Sequence, residues 1–291
     1  MFYLIITILL NVVISAIFKV LPKFKIDTLQ AIVVNYCVCV ITGSLFLGHV
    51  PFHTSNFSQP WFLWAMLMGA SFISIFNLIA YCTRVDGITT ATISNKLSLV
   101  IPVVIAIVFF KEAAGIAKIA GIILALPAVY LTTRVKENNG KTPSLLWPLL
   151  LFIGSGLLDA LVNFVQRSFL DTAEVQATYT IYCFAVAACL GIALVTVMII
   201  TKKIELHWRN IIAGICIGVP NYFSIYFLIR CINSGIMQSS ATIPVLNIGT
   251  LVASSLTAIL IFKEKANSQR IIGLLLSIVA ILLIASADMK W

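Results

Sequence analysis

Apolar runs about 20 residues long, separated by short polar breaks, follow one another along the whole chain. An α-helix needs a run of this length to cross the hydrocarbon core of a bilayer, since each residue advances the helix by only about 1.5 Å. We therefore predict about ten transmembrane helices, near residues 2–18, 27–47, 61–82, 88–110, 116–133, 145–167, 174–200, 208–230, 236–262 and 268–287. An even number of spans puts both termini on the same side of the membrane.

The composition agrees with this reading. Hydrophobic residues make up 61% of the chain and charged residues 10%, whereas a soluble domain is about half apolar and a quarter charged. The net charge of +9 is spread singly or in small groups between the apolar runs, as is typical of residues that flank membrane helices. The sequence therefore predicts an all-α integral membrane protein whose partner is the lipid bilayer and not nucleic acid.

Lysine and arginine are more frequent in the odd-numbered loops of this arrangement than in the even-numbered loops. Cytoplasmic loops of membrane proteins carry such an excess, so we expect the odd-numbered loops in the cytoplasm and both termini outside. The first run has no basic residue before it and no small-residue cleavage site, which favours a retained helix over a removed signal peptide.

The two halves of the sequence repeat one another. A shift of 152 residues places Phe110-Lys111-Glu112 on Phe262-Lys263-Glu264, Gly121 on Gly273 and Asn95 on Asn247, and a shift of 148 residues places Leu10-Asn11 on Leu158-Asp159. We predict one five-helix repeat in residues 1–137 and a second in residues 138–291. Because five is odd, the second repeat enters the membrane from the opposite face, and inverted repeats are typical of secondary transporters.

The ten-span layout, with an apolar helix that ends in Phe-Lys-Glu and a glycine nine residues after the glutamate, resembles the EamA-like branch of the drug/metabolite transporter superfamily. This resemblance extends over essentially the whole chain. It implies alternating-access transport of a small organic metabolite or drug, and a multi-pass protein of the bacterial inner membrane. The sixth span also resembles the first helix of small multidrug resistance transporters, where a membrane carboxylate precedes a basic residue by eight positions. Asp159 and Arg167 occupy those positions here, whereas the first span has Asn11 and Lys19.

Asp159 is the one acidic residue that lies well inside an apolar span, and Lys96 is the one basic residue that does so. A charge at this depth is costly unless it is paired or hydrated, so Asp159 is our candidate for a proton-binding or cation-binding group. A structural aspartate that is hydrogen-bonded to a neighbouring helix is the alternative. Lys96 either attracts an anionic group of a solute, neutralises Asp159, or extends its charge towards the interface.

Amide side chains within or near the spans complete the candidate solute site: Asn77, Asn95, Asn163, Asn221 and Asn247. Such amides either line a cavity or hold two helices together through hydrogen bonds, and both interpretations stay open for each of them. The pair Asn95 and Asn247, matched across the repeat, is the better candidate for a central site.

Prolines interrupt four of the spans, at Pro102, Pro127, Pro220 and Pro244. Each removes a backbone donor, so we expect kinks or local unwinding that could act as hinges.

Motifs for a phosphate-binding loop, a zinc protease or a serine hydrolase are absent from the sequence. The histidines lie in loops, and the cysteines lie in apolar stretches without histidine near them. We therefore expect a secondary transporter, proton-coupled through Asp159, without a cofactor, a metal or an enzymatic activity. The alternatives are an uncoupled facilitator of the same fold and a lipid-acting or non-transporting membrane protein. A homodimer is also open.

Overall fold

The computed structural model describes residues 2–86, 88–111, 115–133, 146–263 and 268–288. Within these ranges every regular element is helical. The α-helices are α1 (Phe2–Val20), α2 (Thr28–Leu47), α3 (Phe62–Asp86), α4 (Ile88–Leu97), α5 (Val100–Phe109), α6 (Ile116–Thr133), α7 (Leu146–Phe169), α8 (Ala173–Ile200), α9 (Trp208–Asn233), α10 (Ser239–Leu260) and α11 (Ser268–Asp288). Short 3-10 turns cover Leu21–Phe24 and Thr54–Ser58.

Seven helical segments of the described chain are long and apolar enough to cross a bilayer, and three further apolar helical segments are shorter. Large apolar side chains lie exposed along these helices, such as Leu63 at 71% and Leu260 at 74%. Such surfaces suit contact with lipid and not with water. The prediction of an all-α, multi-pass membrane protein is therefore confirmed for the described residues, while the number of spans and the inverted repeat stay predictions.

The fourth predicted span, residues 88–110, is not one helix. α4 ends at Leu97 and α5 begins at Val100, so the helix is interrupted at Ser98 and Leu99. Pro102 explains the break, because its missing N–H leaves the Ser98 carbonyl without its usual helical donor. The Ile101 N–H donates to that carbonyl instead, at 2.9 Å. The other three prolines lie inside helices that continue through them.

Two helix starts show how local sequence sets the helix boundaries. Asp27 precedes α2, and its carboxylate accepts a hydrogen bond from the Gln30 N–H at 2.9 Å. Thr172 precedes α8, and its hydroxyl accepts from the Val175 N–H at 3.3 Å. Each side chain satisfies one of the free N–H groups of a first helical turn, which is the physical reason that these residue types begin helices.

Lysine occupies the left-handed backbone region at four turns of the described chain: Lys25, Lys111, Lys202 and Lys263, with φ between 51° and 54°. Lys111 and Lys263 are the matched lysines of the repeated Phe-Lys-Glu motif, and each follows the end of a helix. A positive side chain is favourable near the carbonyl end of a helix. The glutamates of this motif, Glu112 and Glu264, lie outside the described residues.

The chain forms two compact units, and each is described by itself. The first, called the Asn221 unit, consists of Phe2–Ser74 and Phe164–Asn233. In it α1 packs against α9, and α2 packs against α8 and α9. Gly214 and Gly218 of α9 allow this approach, because a Cβ at either position would lie within 2.6 Å of the α2 side chains Val34 and Val38.

The second, called the Asp159 unit, consists of Ile75–Asn163 and Ser234–Trp291. Its main helix pair is α6 with α11, and α10 packs against α5, α6 and α11. Each unit therefore draws helices from both sides of residue 137, the predicted boundary between the repeats. That boundary lies between the described residues 133 and 146.

Candidate functional site

Asp159 lies near the middle of α7 in the Asp159 unit and is half-buried. The Asn247 side-chain N–H of α10 donates to its carboxylate oxygen Oδ2 at 3.3 Å. The structure thus brings together two of the predicted site residues from helices far apart in the sequence. An amide donor partly replaces the water that a carboxylate loses when it enters an apolar span.

Lys96 lies in the last turn of α4, directly before the break at Ser98, in the same unit. Its ammonium group and the Asp159 carboxylate interact electrostatically. Asn247 provides the side-chain hydrogen bond to Asp159 among the described residues, and Lys96 acts on the carboxylate through its charge. The positive side chain also lies at the carbonyl end of α4, where the helix dipole favours a cation.

Asn95 precedes Lys96 on α4 and is half-buried. Its backbone carbonyl accepts a hydrogen bond of 2.6 Å from the Ser98 hydroxyl, which is located at the break. This bond satisfies one of the carbonyls that the end of a helix leaves free. The matched residues Asn95 and Asn247 therefore belong to one unit, but the structure places Asn247, and not Asn95, against the carboxylate.

Asn163 is the most buried of the predicted amides, with 1% of its surface exposed. It lies one turn after Asp159 on α7, and its Oδ1 has no hydrogen-bond partner among the described residues. Ser155, one turn before Asp159, is 5% exposed, and its hydroxyl likewise has no partner there. Asn77 is half-buried on the part of α3 that belongs to this unit.

Asn221 belongs to the other unit. Its side-chain N–H donates to Asn35 Oδ1 at 3.1 Å, which joins α9 to α2. One turn after Asn35, the Cys39 thiol donates to the Gly218 carbonyl at 3.2 Å. These bonds fit the helix-joining interpretation of Asn221, one of the two that the sequence left open.

A second polar cluster of the Asn221 unit was not predicted. Asn210 of α9 accepts a hydrogen bond from the Asp27 N–H at 3.1 Å and donates to Gln30 Oε1 at 2.7 Å. The Gln30 amide in turn donates to the Glu205 carbonyl at 2.7 Å. Asn210 and Gln30 are both buried, so this cluster joins α2, α9 and the loop before α9.

Some of the missed residues left a signal in the sequence. A shift of 146 residues places Gln30-Ala31 on Gln176-Ala177 and Tyr36-Cys37 on Tyr182-Cys183. The matched glutamine Gln176 is also buried, and its amide donates to the Leu170 carbonyl at 2.9 Å. Asn35 left no comparable signal, because the same shift places it on Ile181.

The chemistry available at the Asp159 cluster follows from its groups. A half-buried carboxylate with one amide donor and a nearby ammonium can take up a proton, or it can accept hydrogen bonds from a solute. The ammonium can attract an anionic group. Because these groups come from α4, α7 and α10, a movement of any of these helices changes the environment of the carboxylate.

Comparison with known proteins assigns no function. No protein-family model matches the chain. An uncharacterized protein of Haemophilus influenzae is 28% identical over 289 residues, which cover 96% of this chain and 95% of that protein. The crystal structure of another protein is similar with a TM-score of 0.76 and 13% sequence identity, over 99% of this chain and 96% of that one. The likeness shows that this fold occurs in an experimentally determined structure.

Proposed function

We propose that the protein is a secondary transporter that moves a small organic metabolite or drug by alternating access, with Asp159 taking up a proton. The observation that carries the proposal is the Asp159 cluster, in which Asn247 and Lys96 act on a carboxylate in the middle of an apolar helix. Ionisable groups at such a depth are costly and typically mark an ion or solute pathway.

The proposed architecture is ten spans in two inverted five-helix repeats. Three observations support it. The fifth helices of the two copies, α6 and α11, pack together, and so do the second helices, α2 and α8. The matched lysines Lys111 and Lys263 have the same left-handed backbone conformation. Related helices that meet in pairs are expected when two copies of one unit are arranged about a pseudo-two-fold axis.

The break between α4 and α5 supports a site in the membrane. Transporters commonly build solute sites where a membrane helix is interrupted, because the interruption frees backbone groups for binding. Here the break begins at Ser98, two residues after Lys96 and three after Asn95. A solute bound near Lys96 would therefore contact a point at which the backbone can bend.

The setting of the proposed activity is a bacterial inner membrane, and the proposed family is the EamA-like branch of the drug/metabolite transporters. The repeated Phe-Lys-Glu motif supports the family, and the excess of Lys and Arg in the odd-numbered loops supports cytoplasmic placement of those loops. Proton coupling is the part of the proposal that depends on Asp159 alone. An uncoupled facilitator would use the same fold.

The first test measures ligand binding to purified protein in detergent, using the rise in the thermal unfolding temperature as the signal of binding. A panel of metabolites and drugs is screened at two pH values with native protein, Asp159→Asn and Asp171→Asn. Asp171 is an exposed aspartate just after α7, so its variant controls for loss of a carboxylate. A ligand at 100 times its Kd stabilises the folded state by about 2.7 kcal/mol.

The proposal expects a ligand whose affinity depends on pH in the native and Asp171→Asn proteins and not in Asp159→Asn. In proteoliposomes the native protein should then concentrate that ligand against its gradient when a pH gradient is imposed. A ligand that binds but does not accumulate in the proteoliposomes against its gradient would indicate a facilitator. Absence of any ligand in a stable preparation would contradict solute transport.

A further inference from the structure

Hydroxyl groups inside the helices mostly form a hydrogen bond with their own backbone. Thr7, Thr180 and Ser277 each donate to the carbonyl four residues earlier, at 2.7 to 2.8 Å. Ser155 of α7 and Ser254 of α10 differ, because their hydroxyls are buried and have no partner in the described part of the chain; of the two, Ser155 is on the same helix as Asp159. A buried hydroxyl that does not bond its own helix needs another partner, and ordered water is the usual one.

Asn163 presents the same problem on the other side of Asp159. Its Oδ1 is buried and without a described partner, although an amide oxygen can accept two hydrogen bonds. Ser155, Asp159 and Asn163 are four residues apart in turn, so they lie on one face of α7. Successive members are about 6 Å apart along the helix.

A water molecule fits this spacing. Two hydrogen bonds in series extend over about 5.5 to 6 Å, so one water can join Ser155 to Asp159 and another can join Asp159 to Asn163. Among the described residues Asn247 donates to Oδ2 of Asp159 and no side chain donates to Oδ1, so Oδ1 can accept hydrogen bonds from water.

The surroundings favour water over a metal cation. Among the described residues, Lys96 of α4 is the charged group that acts on Asp159 from a neighbouring helix, and Asn247 of α10 contributes a neutral donor. The positive charge of Lys96 opposes a second cation beside the carboxylate, whereas it does not oppose neutral water.

We propose that α7 holds two water molecules, one between Ser155 and Asp159 and one between Asp159 and Asn163, and that protons reach Asp159 through them. This inference rests on the proposed function, since it gives the route of the coupling proton. The water beside Asp159 gives one of its protons to a carboxylate oxygen while its own oxygen accepts a replacement proton from the solvent side, so one O–H bond forms at Asp159 and the water stays neutral. Ser155 and Asn163 act as positioning residues, because each fixes a water by one hydrogen bond.

The test measures proton exchange at Asp159 by infrared difference spectroscopy on the full chain in lipid nanodiscs. The carboxyl band of Asp159 is identified as the band that Asp159→Asn lacks, and its hydrogen-to-deuterium exchange is timed after mixing with heavy water. Ser155→Ala and Asn163→Leu each remove one polar group. Ser71→Ala is the matched control, because that hydroxyl already donates to the Leu67 carbonyl.

We expect hydrogen-to-deuterium exchange at Asp159 to slow about tenfold in Ser155→Ala and in Asn163→Leu, because each variant removes one hydrogen bond that holds a water in the path. Ser71→Ala should exchange at the native rate, and Ser155→Thr, which keeps a hydroxyl, should restore most of the rate. A structural role of Ser155 would lower stability without slowing the exchange.

Native exchange rates in both Ser155→Ala and Asn163→Leu would overturn the inference and leave proton uptake by Asp159 standing. Absence of an Asp159 band in the native protein across the pH range would overturn the inference and the proposed coupling together. If a variant fails to fold, the bound waters are tested on the native protein alone, by the following measurement. Exchange into water labelled with oxygen-18 should shift a water band that changes together with the Asp159 band, and the absence of such a shift would refute the bound waters.

Discussion

Replacing Gly121 by alanine tests a close contact between two helices of the Asp159 unit. Gly121 lies on α6 where this helix meets α11, and it is the glycine that the sequence repeat matches to Gly273. A Cβ at residue 121 would lie 2.7 Å from Ile284 Cγ1 and 3.0 Å from the Ala280 carbonyl oxygen. Both distances are shorter than ordinary van der Waals contact, so the added methyl has no room.

The two contacts differ in how they can be relieved. The Ile284 side chain can rotate, but the Ala280 oxygen belongs to the backbone, so α11 must move away by about 0.4 Å to restore ordinary contact. Overpacking of this kind costs about 1 to 3 kcal/mol, and the higher helix propensity of alanine returns about 1 kcal/mol. We expect a net loss of about 1 kcal/mol, which corresponds to a fall in Tm of about 2 to 4 °C.

The assay is thermal unfolding in one detergent, with Ala120→Gly as the control. Ala120 is the exposed neighbour of Gly121 on α6, so its variant measures the difference in helix propensity between alanine and glycine without the contact. Both variants should lower Tm, although they exchange the two residues in opposite directions. If Gly121→Ala raises Tm by as much as Ala120→Gly lowers it, propensity alone explains the result and the close contact between α6 and α11 is refuted.

Three other predictions use the same assay. Asn210→Ala removes two buried hydrogen bonds and should lower the free energy of unfolding by about 2 to 4 kcal/mol. Asn233→Ala, at the exposed end of the same helix, should lower it by less than about 0.5 kcal/mol. Equal losses would contradict the buried cluster. Lys118→Met should lower Tm more than Lys111→Met, because Lys118 is fully buried and donates to Gln238 Oε1 at 2.8 Å while Lys111 is exposed. Lys111→Gly should be more stable than Lys111→Met, and Lys263→Gly more stable than Lys263→Met, by about 1 kcal/mol, because both variants of a pair lose the charge but glycine adopts positive φ without strain. Equal stabilities within a pair would refute the left-handed conformation there.

The helical content and most of the segment positions could be predicted because they depend on local properties. Apolar run length sets where a membrane helix can lie, and a residue such as Asp159 is conspicuous because charge is rare inside such runs. The break at Ser98 was within reach of the same reasoning. Pro102 predicted a kink or local unwinding in the span 88–110, and the structure has such a break at Ser98 and Leu99.

The partners within the site could not be predicted, because they depend on which helices become neighbours. The sequence repeat matched Asn247 to Asn95, yet the structure places Asn247 against Asp159. Lys118 lies near the start of the predicted span 116–133, at a position where lysines commonly flank a membrane helix. It is instead fully buried against Gln238, a contact between residues 120 positions apart. Local sequence carries no information about a pairing at that separation.

The hydrogen bonds between distant side chains show why the predicted repeats and the compact units divide the chain differently. Gln30 bonds Asn210 and Asn35 bonds Asn221 in one unit, while Lys118 bonds Gln238 in the other. Each of these bonds joins a residue before position 137 to a residue after it. A half of the chain on its own would leave these buried polar groups unpaired, and each unpaired group costs about 1 to 3 kcal/mol. The two halves are therefore expected to depend on each other for folding, so the repeats are units of sequence, whereas the packed units each contain parts of both.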